Sequence, residues 1–79
     1  MLLIAFDSTQ QALRTEMLLE YAEVEIDTQP TPKSITAGCA LSIGFPEEEL
    51  PRVRAVLRSE QVDIRGIFKP DGDGYIPIE

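Results

Sequence analysis

One thiol, one ammonium and several hydroxyls fall within a single short stretch: Pro30, Thr31, Pro32, Lys33, Ser34, Ile35, Thr36, Ala37, Gly38 and Cys39. These residue types point to sulfur chemistry. A thiolate is a nucleophile, and a nearby cation or hydroxyl donor stabilises the anionic sulfur. The chain has no histidine and only one cysteine. A cysteine–histidine hydrolase is therefore disfavoured. So are an internal disulfide and a copper-chaperone site, because soft metals of that kind take two thiolates. A single thiolate can still accept a sulfur atom and hand it on, since donor and acceptor enzymes can supply the other groups.

The elements that must position Cys39 are legible from periodicity. Leu2, Leu3, Ile4, Ala5 and Phe6 form an apolar run suited to a central strand. Ser8, with Gln11 three positions later, fits a capping box. Leu13, Met17, Leu18, Tyr21 and Ala22 then recur at helical spacing, which predicts a first helix over residues 9–22 with that stripe as its apolar face. Val24, Ile26 and Thr28 alternate with Glu23, Glu25 and Asp27, as in a half-buried edge strand. Cys39, Leu41, Ile43 and Phe45 alternate with Ala40, Ser42 and Gly44, as in another strand. Pro46 and three glutamates open a second helix, regular from about Leu50, with Val53, Val56 and Leu57 on its stripe. Val62, Ile64 and Phe68 suggest the last core strand. Asp71, Gly72, Asp73 and Gly74 form a turn, and Tyr75 to Ile78 is expected to fold back as a short extra strand.

That order predicts one α/β domain over residues 1–79, with a core over 2–68 and a tail over 69–79. The fold class is an α+β sandwich of the ferredoxin-like βαββαβ kind: an antiparallel sheet of order 4-1-3-2 with two helices on one face. In it the start of the third strand lies beside the end of the first. Cys39 then approaches Asp7, Ser8 and Thr9 at the first helix's N-terminus, where the dipole and free backbone donors favour an anion. Lys33 would add positive charge if its loop folds over the site. Ser34, Thr36, Ser8 and Thr9 would donate hydrogen bonds, and Gly38 would relieve bulk beside the thiol. An accessible carrier thiol would have residues 30–38 as a rim. The alternative is equally concrete: Cys39 shares parity with Leu41, Ile43 and Phe45, and free cysteine often behaves as a small buried hydrophobe.

Phe6, Asp7, Ser8 and Thr9 with Ala12, Leu13, Arg14, Thr15 and Glu16, and the proline loop ending in Gly38, Cys39, Ala40 and Leu41, resemble the putative Se/S carrier protein-like family. The resemblance covers about residues 2–68. It implies that Cys39 carries sulfur or selenium as a persulfide or perselenide, with no other cofactor. The implied partners are proteins such as a cysteine desulfurase or a selenium-using enzyme, and the implied role is a carrier or binding protein rather than an enzyme. The family has glycine directly after the cysteine; Ala40 departs from that and narrows backbone access. The rival reading is a non-catalytic ferredoxin-like interaction or regulatory module with a structural cysteine.

Charge narrows the partners. Fourteen acidic against seven basic residues give a net charge of −7, which repels phosphate backbones and anionic membranes. Met1 to Ile4 lacks the features of a signal peptide, so a reduced thiol in the cytoplasm is expected. No metal site is expected. The Asp71–Gly74 turn fails the calcium-loop template, and Glu47, Glu48 and Glu49 suit a solvated helix start. Leu3, Ala5, Ala40, Ser42 and Gly44 would line the sheet face away from the helices, a surface suited to a homodimer.

Overall fold

The computed structural model describes residues 1–35 and 38–79. The elements run β1 (Leu2–Ala5), α1 (Thr9–Tyr21), β2 (Asp27–Pro30), β3 (Leu41–Phe45), a single 3₁₀ turn (Glu47–Glu49), α2 (Leu50–Ser59), β4 (Gly66–Asp71) and β5 (Gly74–Pro77). They build an α+β domain with two helices and one five-stranded antiparallel sheet of order β2-β3-β1-β4-β5. The sheet differs from the expected order 4-1-3-2 by its fifth strand, the short C-terminal addition expected over Tyr75 to Ile78. The tail is a full sheet member hairpinned to β4, so β5 rather than β4 forms that edge. Gly72 makes the hairpin possible: its φ of 60° sits at the first of two turn residues, where a type II′ turn takes glycine.

Leu2, Ile4 and Phe6 from β1 and its end, Ile43 and Phe45 from β3 and Ile67 from β4 share one buried cluster with Ala12 and Leu19 of α1 and Val53 and Leu57 of α2. Both helices therefore cover the same sheet face. The stripe on α1 differs from the sequence expectation. Ala12, Thr15 and Leu19 are buried, whereas Leu13, Met17 and Tyr21 are exposed. Thr15 enters the core because its hydroxyl donates to the Gln11 carbonyl at 2.8 Å, which satisfies it within the helix.

Both helices end the same way. The Val24 amide donates to the Leu19 carbonyl and the Glu23 amide to Glu20; the Val62 amide donates to Leu57 and the Gln61 amide to Arg58. These are paired Schellman closures, with Glu23 and Gln61 at φ 62° and 52°. Arg52 of α2 donates to the Ala22 carbonyl, and Arg14 of α1 donates to the Glu60 carbonyl at 2.8 Å, so each helix helps to cap the other. The closures also shift two strands. Residues 22–24 and 60–62 are used in helix termination, so β2 starts at Asp27 and β4 at Gly66, later than alternation suggested. Val24 is still buried, and Ile26, Val62 and Ile64 pack against the core without joining a ladder.

The opposite sheet face is covered by the chain itself. Leu3, Ala5 and Ile35 form a second buried cluster, with Phe68 and Tyr75 packed against it. Ser42 is buried and accepted into a hydroxyl pair with Thr31 at 2.6 Å, and Gly44 is closed over by Met1 and Gln29. Of the residues expected to form an open face, Ala40 alone is exposed. The apolar area that suggested a homodimer there is already buried. Among the described residues no helix is long and apolar enough to cross a membrane.

Candidate functional site

Cys39 lies two residues before β3, not within it. The β1–β3 ladder stops at Ala5 opposite Ser42. Beyond it, the Phe6 carbonyl takes the Cys39 amide at 3.0 Å instead of continuing the ladder. The Gly38 amide donates to Asp7 Oδ1 at 3.0 Å. A Cβ at Gly38 would stand 2.8 Å from the Asp7 carbonyl oxygen, so glycine is required by close backbone approach rather than by dihedral angle. Two successive amides are thus tied to Phe6 and Asp7, which brings the cysteine to the start of α1.

The sulfur points inward. Cys39 is 5% exposed and belongs to the helix-side core cluster, while its neighbours Gly38 and Ala40 are exposed. The expectation of a partly accessible thiol is corrected: parity with Ile43 and Phe45 carries the side chain under the surface. Two groups meet the sulfur. The Thr9 hydroxyl lies 3.4 Å from Sγ, and the Leu41 amide donates to Sγ at 3.3 Å. Thr9 opens α1, with Ser8 at the N-cap in an extended conformation. The Ser8 side chain makes no capping bond, so the expected box with Gln11 does not form. Gln11 Oε1 is instead a buried oxygen without a hydrogen-bond partner among the described residues, beside a cleft of about 460 Å³ lined by Asp7, Ser8, Gln11, Asp63 and Ile64.

The other expected pocket residues divide. Thr9 meets the Cys39 sulfur and Gly38 directly precedes Cys39, while Ser8 stands one residue before Thr9 at the N-cap of α1. Lys33 and Ser34 do not gather there. They are exposed in a turn closed by the Ile35 amide donating to the Pro32 carbonyl at 3.0 Å. Ile35 carries that turn onto Leu3 and Ala5, on the sheet face away from the sulfur, and Ser34 approaches the Gly74 position of β5. An apolar anchor at Ile35 explains the placement: burying it outweighs any gain from bringing an exposed lysine to the thiol. Thr36 lies outside the described residues.

Sequence reasoning missed Thr31. Its amide donates to the Ala40 carbonyl at 2.7 Å and its hydroxyl donates to the Cys39 carbonyl at 3.0 Å. With that proton committed, the Ser42 hydroxyl is the donor in the Thr31–Ser42 pair. Thr31 therefore fixes the backbone on the C-terminal side of the thiol, while the Cys39 and Gly38 amides are held by Phe6 and Asp7 on the other. Its place between two prolines was the available signal, because both flanking φ angles are preset.

A family model described as "Putative Se/S carrier protein-like" matches residues 1–69. No curated protein and no solved structure matches the chain at a significant level. The match spans most of the 79 residues, and the chain belongs to the putative Se/S carrier protein-like family.

Proposed function

We propose that this chain is a small cytoplasmic carrier with a ferredoxin-like fold that holds one sulfane sulfur, or one selenium, on Cys39 between partner enzymes. The observation that carries the reading is the pair of groups on one sulfur: the Leu41 amide at 3.3 Å and the Thr9 hydroxyl at 3.4 Å. A cysteine serving only as a small hydrophobe needs neither, whereas an anionic sulfur is stabilised by both. Family membership supports the same cargo.

The transfer step balances without an added oxidant. The Cys39 thiolate attacks the terminal sulfur of a persulfide on a donor such as a cysteine desulfurase. A Cys39–sulfur bond forms, the donor's sulfur–sulfur bond breaks, and the donor cysteine leaves as a thiolate. Handing the atom to an acceptor reverses the roles. With Cys39 5% exposed, transfer requires a local opening of the strip 38–40. The exposure of Gly38 and Ala40 on either side makes that opening small.

A second reading has its own support. Burial of Cys39 among Leu2, Ile4, Phe6 and Ala12 suits a structural cysteine in a non-catalytic interaction module. Incubation with a cysteine desulfurase and cysteine, followed by intact mass measurement without reductant, separates the two. The carrier gains about 32 Da per sulfur atom, reversible by thiol, and Cys39→Ser gains nothing. Equal label on wild type and Cys39→Ser, or no label on either, establishes the structural cysteine.

A further inference from the structure

The outward face of α1 is apolar. Leu13, Met17 and Tyr21 follow one another at four-residue spacing and are 50%, 70% and 92% exposed. Single exposed apolar residues need no account, but three in line on one helix face do. They form a stripe about 12 Å long at the helical rise, on the side of α1 away from Ala12, Thr15 and Leu19. At its C-terminal end the stripe meets a groove of about 320 Å³ between α1 and α2, and Tyr21 belongs to both. Leu18, Ala22, Ala55 and Val56 line the groove, and Glu60 stands at its rim.

The cations at this surface are engaged within the chain, and Arg52 donates to the Ala22 carbonyl of the groove and pairs with Glu49 at 3.0 Å. Glu16 and Glu20 flank the stripe on one side of the helix. The nearest cation on the other side, Arg14, is engaged within the chain: its guanidinium donates to the Glu60 carbonyl at 2.8 Å and lies 3.6 Å from the Glu60 carboxylate. An apolar strip beside a groove, framed by carboxylates, is the complement of an amphipathic helix whose apolar edge is bordered by lysine or arginine.

We propose that this surface of α1 and the adjoining α1–α2 groove dock an amphipathic, basic-flanked helix of a partner protein. A second copy of this chain is the less fitting occupant. Each copy carries a net charge of −7, and antiparallel pairing of two stripes brings Glu16 and Glu20 of one copy against the same residues of the other. The inference rests on the helix surface alone and stands or falls independently of what Cys39 carries.

A synthetic leucine/lysine amphipathic helix is the probe, titrated into the isotope-labelled protein and followed by amide chemical shifts. Saturable shifts are expected along Leu13, Met17 and Tyr21 and at Ala55 and Val56. The double variant Leu13→Ser/Met17→Ser keeps the net charge and should weaken binding at least about tenfold. Glu16→Gln/Glu20→Gln should weaken it at least about threefold and flatten its salt dependence. The charge-reversed leucine/glutamate helix should leave the spectrum unchanged. The proposal is overturned if the shifts centre on Glu47, Glu48 and Glu49, or if the double serine variant binds as tightly as wild type. It is equally overturned if sedimentation equilibrium shows a dimer that the double serine variant dissociates, which assigns the face to a second copy.

Discussion

The Thr9 hydroxyl lies 3.4 Å from the Cys39 sulfur, although thirty positions separate the two residues in sequence. The contact exists because α1 begins where β1 ends, and because the Phe6 carbonyl holds the Cys39 amide beside that junction. If the hydroxyl serves an anionic sulfur, Thr9→Val should slow alkylation of the native thiol severalfold while Thr9→Ser retains the wild-type rate. Both variants should keep stability within about 1 kcal/mol, the worth of one hydrogen bond. Equal alkylation rates for wild type and Thr9→Val would show that the contact has no part in the reactivity of Cys39.

Gly38→Ala tests the close approach beneath the site. The added carbon would meet the Asp7 carbonyl oxygen at 2.8 Å, and backbone must move to admit it. The expected loss is about 1–3 kcal/mol in urea unfolding, comparable to overpacking elsewhere. Asp7→Ala removes the acceptor of the Gly38 amide and an exposed ion pair with Arg65 at 3.9 Å, and should cost less, about 0.5–1.5 kcal/mol. A neutral Gly38→Ala would mean that the 38–40 strip yields without strain.

Lys33→Glu should leave native alkylation of Cys39 unchanged within about twofold, because its turn is anchored through Ile35 on the far sheet face. Only a screened, long-range effect of the charge is left there. Thiol labelling at low and physiological salt checks it. A clear slowing at both would place the lysine near the sulfur.

The approach of Cys39 to Thr9 was legible because strand order alone brings the start of the third strand to the end of the first. The inward turn of the sulfur was equally legible from its parity with Ile43 and Phe45. The lysine's distance was not, since Ile35 reads as a loop residue until it is seen to be buried against Leu3 and Ala5. Thr31 escaped notice because its role is made of bonds to backbone carbonyls, which leave no pattern in side-chain type. The face of α1 was misread for a related reason. Leu13, Met17 and Tyr21 give the stronger apolar period, while the true core face includes Thr15, whose polarity is cancelled by its own helix.

That misreading is itself testable by stability. Leu19→Ala should cost about 2–5 kcal/mol, as for a fully buried leucine. Met17→Ala, on the outward face, should stay within about 0.5 kcal/mol of wild type. Urea denaturation of the two variants decides it; a reversed order would mean that α1 is rotated by half a turn about its axis.

The helix ends offer room for stabilisation. Glu23 and Gln61 adopt left-handed backbone at φ 62° and 52°, which costs a residue with a Cβ about 1–2 kcal/mol. Glycine removes that strain but adds freedom to the unfolded chain, so Glu23→Gly and Gln61→Gly should each gain up to about 1 kcal/mol. The two sites lie at the ends of different helices, so their gains should add. A loss of stability in either variant would indicate that the side chain makes a compensating contact.

Substitution of Cys39 itself separates packing from polarity. Serine keeps an acceptor for the Leu41 amide and a partner for Thr9, so Cys39→Ser exchanges one satisfied group for another. It should cost about 1 kcal/mol, at the lower end of the range for burying a hydroxyl. Valine fills the site with apolar bulk and offers neither group a partner, so Cys39→Val should cost about 1–3 kcal/mol through crowding of the helix-side core cluster to which Cys39 belongs. Urea midpoints at equal slope measure the difference. If Cys39→Val proves the more stable of the two, the surroundings of the sulfur act as plain core, and the two polar contacts at 3.3 and 3.4 Å contribute nothing to holding it.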